Sequence, residues 1–308
     1  MLRITNLTKQ YGTLTAVNNL DLNLEAGDIM GFIGPNGAGK TTTIKIVSTL
    51  LMPTSGTAYV NDVDVTLHPE DVRPLIGYMP DFFGLYDDVK VWEYLDFFAA
   101  AYYIPVNKRR ASIDDVLELT DLTGKRDSFV SELSRGMQQR LCLAKTILHD
   151  PMLLLLDEPA SGLDPRARIE IKDLLRELGS MGKTILISSH ILPELADFCN
   201  KIAIIEQGSL VVSGDVSSIV DRCRGARMLS IRLVDRHNEA IGCLAGISDI
   251  ADARIEDGAI IAAYTGDPAE EHVILESLVK NGFKVRAFGQ VDVDLEDVFL
   301  KVTRGVVS

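Results

Sequence analysis

The segment Gly34-Pro35-Asn36-Gly37-Ala38-Gly39-Lys40-Thr41 meets the template G-x-x-x-x-G-K-S/T at every fixed position. An apolar run, Ile29 to Ile33, precedes it, and Thr42-Thr43-Ile44-Lys45-Ile46-Val47 follows as a helical pattern. This succession of strand, loop and helix is the context that a phosphate-binding loop requires. Gly34, Gly37 and Gly39 allow a tight turn that brings backbone N–H groups against phosphate oxygens. A helix beginning there adds the positive end of its dipole and several unpaired N–H groups. Lys40 contributes a full charge near β- and γ-phosphates, and the Thr41 hydroxyl is suited to ligate Mg²⁺.

A second pair of chemically capable residues lies far along the chain. Leu153-Leu154-Leu155-Leu156 runs into Asp157-Glu158. A short all-apolar run is typical of a parallel strand buried on both faces. In such sheets ligands bind at the carboxyl ends of the strands, where the phosphate loop also ends. Taken alone, the pair is an ordinary acidic strand end. Beside a phosphate loop, Asp157 suits a Mg²⁺ ligand and Glu158 suits the group that orients or deprotonates water.

The elements that must position these groups are readable in outline. Residues 2–24 carry two β-rich segments around Lys9 to Gly12, and 28–33 is a buried strand. The apolar stripe of 40–51 predicts a helix stopping near Pro53. Short strands are expected at 57–65, a buried strand at 75–79, and helices at 89–104, 108–122 and 134–149. A helix at 165–178 and a strand at 183–188 follow the acidic pair. Strands alternating with helices imply a parallel sheet covered on its faces. The pattern changes near Arg222 to Gly225, so the chain divides into 1–224 and 225–308. The second part reads as a small α+β domain: a strand at 227–234, a hairpin over 251–265 turning at Asp257-Gly258, a helix at 269–280, a strand at 283–288 and a helix at 294–302. The acidic residues Asp292, Asp294, Glu296 and Asp297 read as a solvated helix face.

Composition narrows the class. The 308 residues suffice for about two domains. No apolar run approaches the ~18 residues of a membrane span, and Met1 to Gly12 does not follow the pattern of a secretory signal. A net charge of −13 disfavours a broad nucleic-acid-binding face. Cys142, Cys199, Cys223 and Cys243 show no metal-type spacing and read as reduced thiols.

Further segments carry a resemblance. Leu133-Ser134-Arg135-Gly136-Met137-Gln138-Gln139-Arg140 resembles the signature segment of ABC transporter nucleotide-binding subunits, and it precedes the Asp157-Glu158 strand at the expected distance. Ser161-Gly162-Leu163-Asp164 resembles the D-loop of that family, and Ser189-His190 its switch histidine. Tyr11 stands where an aromatic stacks on adenine. The resemblance covers about 1–220. Leu295 to Leu300 resembles the C-terminal segment of an exporter-like subset.

The resemblance implies a P-loop NTPase core of ABC ATPase type, an α/β fold. It would have a β-rich N-terminal subdomain and an inserted helical subdomain at about 88–149, with the small α+β domain appended. It implies ATP and Mg²⁺ as cofactors. ATP would contact Tyr11, the loop Gly34, Pro35, Asn36, Gly37, Ala38, Gly39, Lys40 and Thr41, and Thr42 beyond it. Glu158, His190 and Lys40 would be catalytic, and Thr41, Asp157 and Asp81 would face the metal. Ser134, Arg135, Gly136 and Met137 would reach the ATP of a second ATPase subunit, with Asp164 in the D-loop between them. The partners implied are that second subunit and a separately encoded integral membrane permease, which puts the chain at the cytoplasmic face of a membrane; no nucleic acid is expected. Part of the aromatic segment Phe82, Phe83, Tyr86, Trp92, Tyr94, Phe97 and Phe98 would form the docking groove, and the remainder would fill the core.

The chain departs from the family pattern in places. Asp81 stands where the family has Gln, Arg135 where Gly is commoner, and Met137 where Gln is commoner. Arg135 could either approach the partner's ATP or point to solvent. Two other classes were weighed. A soluble ABC ATPase acting on DNA or the ribosome is opposed by the acidic charge. A P-loop kinase or GTPase is opposed by the signature segment and by the lack of an evident N-K-x-D motif.

Overall fold

The computed structural model describes residues 1–82, 84–191, 195, 198–216, 218–219, 227–256 and 258–290. The chain divides into two compact units, Met1–Val216 and Ser217–Ser308. The division comes earlier than the composition change near Arg222 suggested, directly after the last strand of the first unit.

In the first unit, β1 (Leu2–Tyr11) and β2 (Leu14–Leu24) form an antiparallel pair, extended by β4 (Ser55–Val60) and β5 (Val63–Asp64) into a sheet of order β2-β1-β4-β5. The second sheet has the order β10-β9-β3-β8-β7-β6. Its strands β3 (Ile29–Ile33), β6 (Ile76–Met79), β7 (Leu153–Asp157), β8 (Thr184–Ser189) and β9 (Lys201–Glu206) run parallel, and β10 (Ser209–Asp215) closes one edge antiparallel to β9. Neither β9 nor β10 was expected from the sequence. Ile202 to Ile205 is a short, wholly buried run like that of β7, but it follows no turn signal of the usual kind.

Helix α1 (Lys40–Val47) packs into the core shared by the two sheets. Its Ile44, Ile46 and Val47 meet Leu2, Leu20 and Leu24 of the antiparallel sheet and Phe32, Leu153, Leu155 and Leu186 of the parallel one. Leu154 and Leu156 are equally buried, so both faces of β7 are covered, which explains its unbroken apolar run. α1 ends before the expected stop near Pro53. Ser48 donates its backbone N–H to Ile44 O at 2.8 Å, and Thr49 then adopts φ +64°, ending the helix locally. A short helix, α2 (Pro69–Val72), leads to β6 and was not foreseen.

Between β6 and β7 the chain makes a helical excursion: α3 (Val91–Ala101), α4 (Val106–Leu119) and α5 (Arg135–Ile147). Tyr94 is 2 % exposed and packs 4.9 Å from the Phe98 ring. Tyr94 is therefore a core residue rather than part of a docking surface; Phe82 (86 %), Tyr86 (55 %) and Phe97 (56 %) are exposed. Phe83 lies outside the described residues. α6 (Pro165–Ser180) starts at Asp164, whose Oδ1 accepts from the N–H groups of Arg166 and Ala167, both at 3.0 Å.

The second unit runs β11 (Arg227–Leu233), α7 (His237–Leu244), β12 (Ile250–Glu256), β13 (Ala259–Tyr264), α8 (His272–Lys280) and β14 (Val285–Gln290), with sheet order β12-β13-β11-β14. This is the split βαβ pattern of ferredoxin-like domains. Its core joins Leu229, Ile231, Ile260 and Tyr264 to Leu244, Ile274 and Leu278 of the helices. Glu256 pairs with Ala259, and Gly258 between them adopts φ +74°; Asp257 of the expected turn lies outside the described residues. α7 was not foreseen. The helix expected at 294–302, its acidic residues and Leu295 to Leu300 lie outside the described residues.

Asp28, at the entry to β3, is 6 % exposed and accepts from Glu25 N at 2.7 Å and Lys201 Nζ at 2.8 Å. It pins the strand that delivers the phosphate loop to its neighbour β9. Asp28→Ala should destabilise the first unit by about 1–3 kcal/mol. Urea denaturation of the variant and the parent measures the difference.

Candidate functional site

The site begins where β3 ends at Ile33. Gly34 packs so closely on the adjoining strand that a Cβ there would fall 2.3 Å from Ile205 O. Gly39, the residue before α1, has φ +105°, and its Cβ would fall 2.4 Å from Ala16 O. A side chain at either position would displace backbone. The first turn of α1 contains no acidic residue, so its positive end is not neutralised from within.

Lys40 is only 6 % exposed. Its ammonium donates to Gly34 O at 2.7 Å and Pro35 O at 3.3 Å, and lies 3.6 Å from Glu158 Oε1. The other Glu158 oxygen, Oε2, accepts from His190 Nδ1 at 2.9 Å. A carboxylate only accepts, so Nδ1 carries the proton in this pair. Lys40, Glu158 and His190 thus converge from three segments widely separated in sequence.

Beneath them, Asp157 is 1 % exposed. Its Oδ1 accepts from Thr41 Oγ1 at 3.1 Å and from Ser188 Oγ at 2.6 Å. Ser188 Oγ also accepts from the backbone N–H of Glu158 at 2.9 Å. One hydroxyl on β8 therefore fixes both acidic residues. Glu158 itself adopts φ +51°, unusual for a residue with a side chain, and this turns its carboxylate out of the strand towards Lys40. Nearby Tyr78 has its phenol pushed up to about 12, first by burial and then by the charges of Asp157 and Asp81.

A cavity of about 420 Å³ opens above this cluster. Asn36, Gly37, Ala38, Gly39, Lys40, Thr41 and Thr42 line it on one side, and Asp81, Glu158 and His190 on another. Tyr11 borders it from the end of β1, 47 % exposed, with Lys9 Nζ 5.2 Å from the ring centroid. Gly34 and Pro35 lie behind the cavity, where their carbonyls hold Lys40. Leu14, Ala16 and Ser161 also line it and were not singled out beforehand. Ser161 belongs to the D-loop segment, so the motif carried a signal for it. Leu14 and Ala16 are recognisable only once β2 is seen to fold beside the loop.

The signature residues do not line this cavity. Ser134 caps α5, its Oγ accepting from Met137 N at 3.3 Å. Gly136 packs on α6, where a Cβ would lie 3.1 Å from Ala167 Cβ. Arg135 is exposed and does not line this cavity; its guanidinium lies over the D-loop, where a Cβ at Gly162 would fall 2.3 Å from Nη2. Asp164 is an exposed helix cap and also lies away from the cavity.

A phosphate loop, a buried acidic strand end and a signature helix on a separate flank define a P-loop ATPase of the ABC type. The model of the ABC transporter family matches residues 17–161. The chain is 35 % identical over 309 residues to the bacitracin transport ATP-binding protein BcrA of Bacillus licheniformis, covering 99 % of this chain and 98 % of that protein. It is 34 % identical over 301 residues to the Nod factor export ATP-binding protein I of Rhizobium meliloti (strain 1021), covering 97 % and 87 %. A solved dimeric bacterial ABC transporter cassette matches with TM-score 0.64 at 26 % identity, covering 70 % of this chain and 99 % of that one. The chain belongs to the ATP-binding subunits of the ABC transporter family.

Ser188 holds the two acidic residues without touching the cavity's phosphate loop. Ser188→Ala should lower ATP turnover about tenfold while KM for ATP changes less than twofold, because the misplaced group acts in the chemical step. Steady-state ATPase kinetics across ATP concentrations measures both quantities.

Proposed function

We propose that this chain is the ATP-hydrolysing subunit of an exporter, working with a separate membrane permease and a second ATPase subunit. The observation that carries the reading is the convergence of Lys40 and His190 on the Glu158 carboxylate at the mouth of the phosphate-loop cavity. The names of the two relatives, an export and a transport ATP-binding protein, support the export assignment. Among the described residues no helix is long and apolar enough to cross a membrane, which supports a permease on another chain. Through that permease the subunit sits peripherally on the cytoplasmic face.

ATP enters with its adenine against Tyr11 and its phosphates over the N–H groups of Asn36 to Thr42. Stacking on the Tyr11 ring contributes about 1–3 kcal/mol to binding. The incoming phosphates displace Glu158 from Lys40, which frees the carboxylate to take a proton from water. His190, already bonded to Glu158, holds that carboxylate in place and stands within the same cavity to contact the γ-phosphate. The donor set suits Mg²⁺: Thr41 and Asp157 offer hard oxygens side by side, Asp81 a further carboxylate on the cavity wall, and the phosphates supply the remainder. Bound there, the ion neutralises phosphate charge.

Ser134, Arg135, Gly136 and Met137 lie off the cavity, and the reading assigns them to the nucleotide of the second subunit. A symmetric pair then uses each signature helix once, with Asp164 near the junction. Exposed Phe82, Tyr86 and Phe97 form the apolar part of the permease-docking surface. Residues 1–216 are the ATPase part, and the second unit is an accessory domain.

Glu158→Gln should reduce turnover by roughly 10²–10⁴-fold while leaving ATP affinity within a few-fold. Parallel measurements of phosphate release and of binding to a fluorescent ATP analogue read the two effects. Wild-type turnover would remove Glu158 from the role. Affinity purification from detergent-solubilised membranes tests the transport reading, with an integral membrane protein as the expected copurifying chain.

A further inference from the structure

Gln139 is 2 % exposed, in the second turn of α5, and its side-chain Nε2 donates to Pro159 O. A proline carbonyl can only accept, so the amide nitrogen must face it. Pro159 directly follows Glu158, the residue at φ +51°. The turn carrying the carboxylate is therefore held on both sides: Ser188 Oγ accepts from its N–H, and Gln139 donates to the carbonyl just beyond it. The same face of α5 makes three further contacts with the 158–170 segment. Arg135 lies over Gly162, Gly136 against Ala167, and Arg140 on Glu170. Positions 135, 136, 139 and 140 share one helix face, so α5 and the acidic turn are joined along a continuous strip. Ser134 stands at the N-terminal end of that strip, and Gln139, five positions on, bonds the residue that follows Glu158.

We propose that Gln139 is a positioning residue for Glu158, through which the signature helix sets the carboxylate that activates water. This rests on the reading of Glu158 as the base and extends it. A nucleotide held by the second subunit against Ser134 would load α5, and Gln139 would pass that load to Glu158 of the same chain as that Ser134. The contact does not touch ATP, so its loss acts on turnover and not on binding.

The test uses the full chain. Gln139→Met keeps the volume and removes the donor. Its kcat should fall about 10–100-fold, with KM and the affinity for a fluorescent ATP analogue within twofold, while the lost buried hydrogen bond lowers the melting temperature by only a few degrees and leaves the protein folded at the assay temperature. An unaltered kcat, or a loss confined to KM, would overturn the proposal. Gln139→Glu gives an independent reading should the Met variant fold poorly. Burial there disfavours the charged carboxylate, and only the protonated acid can donate to Pro159 O. Its kcat relative to the parent should rise at least about fivefold between pH 8 and pH 6; a flat ratio counts against the donor role. In a Glu158→Gln background, Gln139→Met should add little further loss, whereas a full additional loss indicates a merely structural contact and sinks the idea. If Glu158→Gln is inactive and Gln139→Met is as active as the parent, the positioning role alone falls. If Glu158→Gln retains turnover, the base assignment falls with it.

Discussion

The buried carboxylate of Asp157 is the point at which the first unit becomes a working site. It accepts from Thr41 at the start of α1 and from Ser188 at the end of β8, while its own backbone ends β7. Three chain segments are thereby fixed to one another within hydrogen-bond distance. A carboxylate buried to this degree is tolerated only when its oxygens are satisfied. That requirement makes the cluster self-consistent: loosening any partner exposes the cost of the others. Lys40, Glu158 and His190 inherit their positions from this arrangement, since each lies one residue or two from a member of it.

Much of this was legible in the chain itself. The spacing of Gly34, Gly39 and Lys40 declares a phosphate loop because few other uses need that combination. The unbroken apolar run before Asp157 declares a strand covered on both faces, and the sheet order bears this out. The hairpin of β12 and β13 was visible for the same local reason, a glycine between two strand-like runs. What escaped were elements whose identity depends on distant neighbours. β9 pairs with the free edge of β3 and β10 with β9 in turn, and the short apolar run Ile202 to Ile205 alone did not tell that a strand edge was waiting for it. α7 has only the short repeat of Ala240 and Leu244 to mark it. Tyr94 was indistinguishable from its exposed aromatic neighbours until the packing of α3 decided which face turned inward.

At the site, residue types were informative and roles less so. Ser188 sits one position before the recognisable Ser189-His190 pair, yet it is the hydroxyl that fixes both acids. Gln139 stood in the signature segment without a role of its own, and only the fold shows it buried with its amide on Pro159 O. Arg135, an exception to the family pattern, finds its place over Gly162 of its own chain. The glycine in the D-loop leaves the room that the larger signature residue occupies.

The helical excursion leaves the parallel sheet at Met79 and returns at Leu153, and the two strands it joins, β6 and β7, are hydrogen-bonded neighbours. Because the two strands run parallel, Met79 is level with Leu156, and the ends of the excursion lie roughly 11 Å apart, one strand spacing across and three residues along. Closing such a loop costs entropy that grows only with the logarithm of its length, about 0.6 kcal/mol for each doubling. Residues can be gained or lost between α3 and α4 at small expense to the register of the sheet. The fold thus separates a segment free to diversify from a frame that cannot, and descent can refashion the first without disturbing the second.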